Sequence, residues 1–182
     1  MRVISGKAKS LRLYAPKTSK VRPASDKVKG AIFNILGEIE GLKVLDLFAG
    51  SGSVGIEALS RGAESAIFVE SDRQIAHSIR KNLETCQFDP MGKILKMEVK
   101  KALSLLSKKN EKFDLIFVDP PYDRNLVNPT LSLLERYLLL SEHGVIVIEH
   151  SPRETILPKE MLEIYDQRKY GQTFISFIRK GN

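Results

Sequence analysis

The sequence has few of the residues that build disulfides and metal centres. Its 182 residues include one cysteine, three histidines and no tryptophan. A single cysteine, Cys86, cannot form an internal disulfide, and His77, His143 and His150 lack the spacing of metal ligands. We therefore expect no metal site and a protein of a reducing compartment, the cytoplasm.

Long apolar segments are also missing. No uninterrupted apolar run approaches the ~18 residues of a membrane span, and the first residues lack the apolar stretch of a signal peptide. Apolar residues still make up 42% of the chain, which excludes a disordered protein and suffices for one core. We expect a soluble, single-domain monomer with no membrane partner.

Acidic residues are scarce at the start of the chain. Residues 1–30 contain nine basic residues and one acidic residue, a charge of +8, although the whole chain carries only +7. Such a local excess favours contact with a polyanion, nucleic acid being the leading candidate, while the alternative is a solvated, mobile arm. The candidate RNA contacts are Arg2, Lys7, Lys9, Arg12, Arg22 and Lys29.

Apolar residues are interleaved with these charges. Residues 3–4 and 11–14 are largely apolar and flank the polar residues 5–10, a pattern that predicts a β-hairpin with a basic tip. The apolar side chains argue against a mobile arm. We expect residues 1–24 to form a basic N-terminal extension and residues 25–182 to form the main domain.

Strand-like and helix-like segments alternate between residues 43 and 149. This order predicts βαβ units and a mostly parallel sheet with helices on both faces, an α/β Rossmann-like fold. Two further strands near the end have no helix between them and predict an antiparallel hairpin at the sheet edge. The seven predicted strands are 43–48, 65–70, 93–98, 113–118, 144–149, 162–167 and 173–179. The predicted helices begin at Ser25, as N-cap, after the glycine-rich turn 50–55, at Asp72, after Glu98 and near Val127, the last extending to 140.

A glycine-rich turn follows the first predicted strand. Gly50, Gly52 and Gly55 match the pattern G-x-G-x-x-G, in which glycine lets the backbone approach a ligand and a helix N-terminus presents N–H groups. Glu70 ends the second strand and can accept hydrogen bonds from both hydroxyls of a ribose. The pattern fits either a nicotinamide or flavin dinucleotide or S-adenosylmethionine.

Asp46 favours S-adenosylmethionine. It lies four residues before Gly50, near the end of a strand that is otherwise apolar. A carboxylate there repels the pyrophosphate of a dinucleotide but attracts the ammonium and sulfonium groups of S-adenosylmethionine. The alternative is that Asp46 caps a neighbouring turn.

A second motif, Asp119-Pro120-Pro121-Tyr122, follows the fourth predicted strand at the sheet edge where ligands of open α/β folds bind. The prolines fix the backbone and carry no N–H, so carbonyl oxygens and the Asp119 carboxylate can accept hydrogen bonds from an amine. Tyr122 supplies a ring for base stacking. The alternative is a rigid turn with a packed tyrosine. Combined with the Asp46 motif, the pattern indicates methyl transfer to an amino group of a base.

The turn 46–52, Glu70 and residues 119–122 resemble those of class I S-adenosylmethionine-dependent methyltransferases. Residues 2–6 (Arg-Val-Ile-Ser-Gly) and 22–26 (Arg-Pro-Ala-Ser-Asp) resemble, more specifically, the bacterial small-subunit rRNA guanine-N2 methyltransferases of the RsmD type. The resemblance implies methylation of the exocyclic N2 amine of a guanine in 16S rRNA. It also suggests an assembled ribonucleoprotein particle as the substrate.

The same resemblance implies roles for individual residues. Gly50, Ser51 and Gly52 would border the methionine part of the cofactor, Glu70 would hold its ribose, and residues 119–122 would hold the guanine. The candidate cofactor contacts are Asp46, Phe48, Gly50, Ser51, Gly52, Glu70 and Ser71, and the candidate catalytic residues are Asp119, Pro120, Pro121 and Tyr122. The family often has an acid where this chain has Lys100-Lys101, so contact with the cofactor's adenine falls to Glu98 or to the backbone.

Three other functions remain open from the sequence. The nearest is an adenine-N6 methyltransferase acting on DNA or another RNA, since residues 119–122 suit either amine, although so short a chain lacks a separate target-recognition domain. A nicotinamide-dependent oxidoreductase is opposed by Asp46 and by residues 119–122. The third is an RNA-binding module without catalytic turnover.

Overall fold

The computed structural model describes residues 1–15, 26–122 and 124–181. Two predicted features, the N-cap at Ser25 and the RNA contact at Arg22, lie outside these ranges. The helices are α1 (Asp26–Leu36), α2 (Ser53–Ser60), α3 (Arg73–Cys86), α4 (Val99–Lys108) and α5 (Val127–Tyr137). The strands are β1 (Lys43–Leu47), β2 (Ser65–Val69), β3 (Gly92–Leu95), β4 (Phe113–Val118), β5 (Leu140–His150), β6 (Leu162–Tyr170) and β7 (Thr173–Lys180).

The strands form one seven-stranded sheet in the order β3-β2-β1-β4-β5-β7-β6. The first five strands of this order are parallel, whereas β7 is antiparallel to both β5 and β6. The chain order reverses direction between β1 and β4, the switch point at which open α/β sheets bind ligands. The predicted Rossmann-like α/β fold with a C-terminal antiparallel hairpin is therefore confirmed.

The helices cover both faces of the sheet, and each face has its own apolar core. One core joins α1, α2 and α3 to alternate strand residues such as Val44, Phe117 and Val147. The other joins α4 and α5 to the intervening residues, such as Leu45 and Ile116. Because side chains alternate between faces along a strand, strands covered on both sides need almost continuous apolar sequence. This requirement explains the buried runs that mark β1 and β4 in the sequence.

The largest differences from the predicted element boundaries occur around Leu138. Helix α5 ends at Tyr137, three residues before the predicted end, because Leu138 adopts a left-handed conformation with φ of 50°. Strand β5 then begins at Leu140 rather than at Gly144 and continues to His150. A leucine-rich sequence suits both a helix and a buried strand, so its composition did not locate this junction.

The N-terminal residues form the predicted hairpin in a short form, with a single antiparallel bridge between Arg2 and Arg12. The Val3 amide donates to the Leu11 carbonyl at 3.0 Å. The hairpin lies against α2, and the side chains of Val3, Ala8 and Leu13 are buried in the same core as α1 to α3. Residues 1–13 are thus packed on the main domain, which excludes a mobile arm over this stretch.

A buried carboxylate on α2 holds the hairpin in place. The fully buried Glu57 accepts hydrogen bonds from the Ile4 and Ser5 amides at 2.8 and 3.0 Å. It also pairs with Arg61 Nε at 2.8 Å and with Lys29 Nζ at 3.4 Å. Burial lowers the pKa of Lys29, and the adjacent Glu57 charge opposes that shift. Two cations and two amides therefore compensate one desolvated carboxylate.

The tip of the hairpin approaches the end of α2 very closely. The Lys7 amide donates to the Ser60 carbonyl at 2.7 Å, and the Ala8 amide donates to Ser60 Oγ at 2.9 Å. A Cβ on Gly6 would lie 1.7 Å from the Ser60 carbonyl oxygen, and Gly6 has a φ of +81°. Only glycine tolerates both this close approach to Ser60 and a positive φ, which accounts for a glycine at position 6.

We predict that Glu57→Ala lowers the free energy of unfolding by about 3–5 kcal/mol, because it leaves Lys29 as a buried charge without this partner. Urea denaturation followed by circular dichroism measures the change. The control is Glu64→Ala, since Glu64 is exposed and its removal should change stability by no more than about 0.5 kcal/mol. Equal effects of the two substitutions would contradict the role assigned to Glu57.

Candidate active site

A large open cleft lies at the carboxyl edge of the parallel strands, with a volume of about 1410 Å³. Single ligand pockets commonly measure about 300–1,000 Å³, so this cleft has room for more than one small molecule. Two sets of predicted residues line it. They are Asp46, Phe48, Gly50, Ser51, Glu70 and Ser71 from the cofactor set, and Asp119, Pro120, Pro121 and Tyr122 from the catalytic set.

Gly52, the remaining residue of the cofactor set, is placed differently. It is buried, forms the N-cap of α2 with a φ of 79°, and is not part of the cleft lining. A Cβ added at this position would meet Ile79, Phe68 and Ile56 in the core. The structure therefore gives Gly52 a part in shaping the turn, whereas Gly50 and Ser51 reach the cleft wall.

Glu70 fixes the glycine-rich turn from the neighbouring strand. One carboxylate oxygen accepts the Gly50 amide at 3.0 Å, and the other accepts the Asp72 amide at 2.8 Å. Asp72 in turn caps α3 by accepting the Gln74 and Ile75 amides. The carboxylate is thus held at the cleft wall by two backbone contacts, in a defined orientation.

Asp46 is almost completely buried beneath the same turn. Its Oδ2 accepts the Gly55 amide, in the first turn of α2, at 3.0 Å. This hydrogen bond matches the alternative role for Asp46, in which it caps a neighbouring turn. The same side chain also lines the cleft. Burial raises the pKa of Asp46 to about 7; the Gly55 amide opposes the rise, and the nearby Glu70 adds to it.

Residues 119–122 line the same cleft after β4, the strand that pairs with β1. Asp119 is half-buried, and its pKa is raised well above the ordinary value, first by burial and then by the charges of Glu149 and Asp46. The Tyr122 hydroxyl donates to Glu149 Oε1 at 2.9 Å and lies 2.6 Å from Thr173 Oγ1. Burial raises the pKa of Tyr122 to about 12, so its hydroxyl keeps its proton near neutral pH.

Most of the described candidate RNA contacts lie on the hairpin surface, away from the cleft lining. Arg2, Lys7, Lys9 and Arg12 are all exposed. The prediction for Lys29 is wrong, because this side chain has no exposed surface and its Nζ donates to the Arg2 carbonyl at 2.8 Å and to Ser53 Oγ at 3.0 Å. Lys29 ties the hairpin to α2 instead of contacting a phosphate.

Comparisons with known proteins agree with this geometry. A family model described as "Conserved hypothetical protein 95" matches residues 1–179. The Bacillus subtilis protein named "Putative rRNA methyltransferase YlbH" is 40% identical over 99% of both chains. The Escherichia coli "Ribosomal RNA small subunit methyltransferase D" is 35% identical over 82% of this chain and 74% of its own.

The chain belongs to the RsmD family of methyltransferases. Its fold also matches the solved structure titled "Putative methyltransferase yhhF from Escherichia coli", with a TM-score of 0.87, 28% identity, and coverage of 99% of this chain and 97% of that one. Over residues 1–15, 26–122 and 124–181, no group of three or more potential metal ligands is close enough to hold an ion. No helix in those ranges is long and apolar enough to cross a membrane.

Several residues of this RsmD-family cleft escaped the sequence reasoning. They are Glu149 at the end of β5, Thr173 at the start of β7 and Arg124 in the loop after Tyr122. The sequence did contain an indication of Glu149, because this acidic residue comes at the end of an apolar strand, just as Asp119 directly follows β4. Glu98, the side chain that the sequence offered for adenine contact, also lines the cleft, and so does Lys100.

We predict that the free energy of unfolding falls as pH rises from about 5 to about 8, and that Asp46→Asn makes this fall smaller. Because the folded-state pKa of Asp46 is raised to about 7, the unfolded chain releases this proton at lower pH. Ionisation therefore destabilises the folded state as pH rises from about 4 to about 7. Asparagine keeps an acceptor for the Gly55 amide but carries no charge, so we expect a decline smaller by roughly 2–3 kcal/mol.

Urea denaturation at a series of pH values tests this expectation. Asp89→Asn is the control, since Asp89 is exposed and its substitution should reproduce the wild-type pH dependence. A wild-type dependence in Asp46→Asn would mean that Asp46 is not the buried acid responsible.

Proposed function

We propose that the protein transfers the methyl group of S-adenosylmethionine to the exocyclic N2 amine of a guanine in 16S rRNA. The observation that carries this proposal is that the glycine-rich turn and residues 119–122 line one cleft, at the ends of the adjacent parallel strands β1 and β4. A cofactor bound at the turn would lie beside a base bound at residues 119–122. Membership of the RsmD family and the name of the Escherichia coli relative support rRNA as the substrate.

The chemistry of the cleft fits this cofactor. Asp46 and Glu70 lie at the wall formed by the glycine-rich turn. These two carboxylates complement the cationic groups and the ribose hydroxyls of S-adenosylmethionine, but they would repel the pyrophosphate of a dinucleotide. When bound, the cofactor supplies a methyl group already activated by its sulfonium, so the protein has mainly to align the acceptor.

Asp119 would hold and activate the acceptor amine. The lone pair of guanine N2 is delocalised into the ring, which makes the amine a weak nucleophile. A hydrogen bond from the amine to Asp119 Oδ, with a second to a carbonyl of the proline pair, would orient the lone pair toward the methyl group. After transfer the amine is acidic, and the raised pKa of Asp119 suits its carboxylate to accept the proton. Tyr122 would stack on the base, which must first leave the RNA stack.

The basic extension, residues 1–24, would contact the RNA backbone while residues 25–182 perform the chemistry. Lys7, Lys9 and Arg12 are exposed on a hairpin whose backbone is fixed to α2. Phosphate contacts by such residues position an RNA without reading its sequence. Arg124 and Lys100, which line the cleft, would supply positive charge close to the extruded nucleotide.

We predict that Asp119→Asn and Glu70→Ala separate catalysis from cofactor binding. Asp119→Asn should lose most methyl transfer yet bind S-adenosylhomocysteine within several-fold of the wild type. Glu70→Ala should weaken that binding by roughly five- to a hundredfold, because the ribose hydroxyls lose a charged acceptor. Calorimetry measures the binding of S-adenosylhomocysteine and of NAD. Nucleoside mass spectrometry of 16S rRNA from cells with and without the gene identifies the methylated product.

Specific loss of N2-methylguanosine in the cells without the gene is the expected result. Loss of N6-methyladenosine instead would favour the adenine enzyme, and comparable binding of NAD would exclude the proposed cofactor. Wild-type turnover by Asp119→Asn would show that another group holds the amine.

We predict that replacing Lys7, Lys9 and Arg12 together by alanine weakens RNA binding and makes it less sensitive to salt. Each lost phosphate contact removes about 0.7–0.9 from the slope of log K against log salt, so the slope should fall by roughly two to three units. Fluorescence anisotropy over a salt series measures it, and calorimetry should show unchanged cofactor affinity.

The matched control removes three exposed charges at the far edge of the sheet, Lys159, Arg168 and Arg179. These residues lie on or beside β6 and β7, so the control should keep the wild-type slope. Equal slopes in both variants would place the RNA elsewhere on the protein.

A further inference from the structure

Glu149 stands beside Asp119 at the carboxyl edge of the sheet. In the parallel pairing of β4 and β5, Phe117 lies opposite Val147 and Val118 opposite Ile148, so Asp119 and Glu149 are the next neighbours in register. Paired strands are about 4.8 Å apart, and side chains of equal parity point to the same face. Asp46, opposite Phe117 on β1, shares that face. The inner wall of the cleft therefore combines three carboxylates.

The Glu149 carboxylate has a defined orientation. Its Oε1 accepts the Tyr122 hydroxyl at 2.9 Å, and Thr173 Oγ1 lies 2.6 Å from the same hydroxyl. Thr173 Oγ1 also donates to the His150 carbonyl at 3.1 Å. The contact with Tyr122 brings Glu149 to the ring that is proposed to stack on the base, and an ionised carboxylate can accept several hydrogen bonds at once.

The hydrogen-bonding edges of the purines differ at the atom beside the reacting amine. Guanine presents two adjacent donors, N1–H and the N2 amine, whereas adenine presents an acceptor, N1, beside its N6 amine. When ionised, these carboxyl groups offer only acceptors. They therefore complement two adjacent donors and repel an edge that carries a lone pair, and two donors between Asp119 and Glu149 would also reduce the repulsion between those charges.

We propose that Glu149 accepts the N1–H of the target guanine while Asp119 accepts the N2 amine, so that Glu149 selects guanine over adenine. This inference rests on the proposed function and assigns the choice of base to one residue. The competing explanation is that Glu149 only anchors Tyr122.

Glu149→Gln distinguishes the two roles. Glutamine keeps an oxygen for the Tyr122 hydroxyl, so anchoring of the ring is retained. It also replaces one carboxylate oxygen by an NH₂ donor, which suits an N1 lone pair. The comparison variant is Thr173→Val, which removes the other hydroxyl partner of Tyr122 and a long hydrogen bond to Glu149 Oε1 at 3.5 Å, but keeps the carboxylate group itself.

The methylated position in the rRNA is first located by mapping. Ligated rRNA that carries either guanine or 2-aminopurine at this position is then reconstituted into small-subunit particles, which serve as the substrates. 2-Aminopurine keeps the amine at C2 but has an N1 lone pair in place of N1–H. Wild-type protein should prefer guanine, and Glu149→Gln should reduce the ratio of the two kcat/KM values by about ten- to a hundredfold. Thr173→Val should slow both reactions and leave the ratio unchanged.

An unchanged ratio in Glu149→Gln would overturn the assignment and leave anchoring of Tyr122 as the role. If the variant is too slow to assay, equilibrium binding of the two RNAs in the presence of S-adenosylhomocysteine gives the corresponding ratio without turnover. Failure of the wild-type protein to methylate guanine at all would instead refute the proposed function. Thermal unfolding and cofactor calorimetry establish that each variant is folded.

Discussion

The alternation of side chains along paired parallel strands is the constraint on which the cleft depends. Neighbouring parallel strands run in the same direction, so their carboxyl ends meet at one edge of the sheet. At that edge, residues that are paired in register, or lie two positions from a paired residue, point to the same face. Asp46, Asp119 and Glu149 satisfy this condition on β1, β4 and β5. A slip of one residue in either pairing would move a carboxylate into the opposite apolar core, so register and site chemistry are fixed together.

The apolar cores hold that register. Each strand contributes one set of side chains to the core beneath α1 to α3 and the other set to the core beneath α4 and α5. The acids are accommodated where the strands end and the cores give way to the cleft. Burial there is incomplete for Asp119 and nearly complete for Asp46, and desolvation is the largest cause of the raised pKa of both.

Buried polar contacts connect the basic hairpin to this site. Lys29 bridges the Arg2 carbonyl and Ser53 at the start of α2. Asn82 on α3, which is fully buried, donates to both the Tyr14 and Ser51 carbonyls at 2.9 Å. Groups buried so deeply are stable only when hydrogen-bonded, so the hairpin and the glycine-rich turn have defined relative positions. An RNA bound to the hairpin would therefore lie at a fixed distance from the cleft.

The sequence by itself determined the order of strands and helices along the chain, and the parallel sheet with its terminal hairpin. It also determined that Asp46, Phe48, Gly50, Ser51, Glu70 and residues 119–122 lie at one edge of a cleft. These features follow from local apolar periodicity and from the rule that parallel strands end together. Only the tertiary structure decided that Lys29 is internal, that Gly52 faces the core and that Glu149 joins the carboxylate wall. Whether a charged side chain contacts solvent, a buried partner or a ligand depends on which elements pack against it. For Lys29 these contacts come from residues distant along the chain, Arg2 and Glu57, so the local sequence does not reveal them.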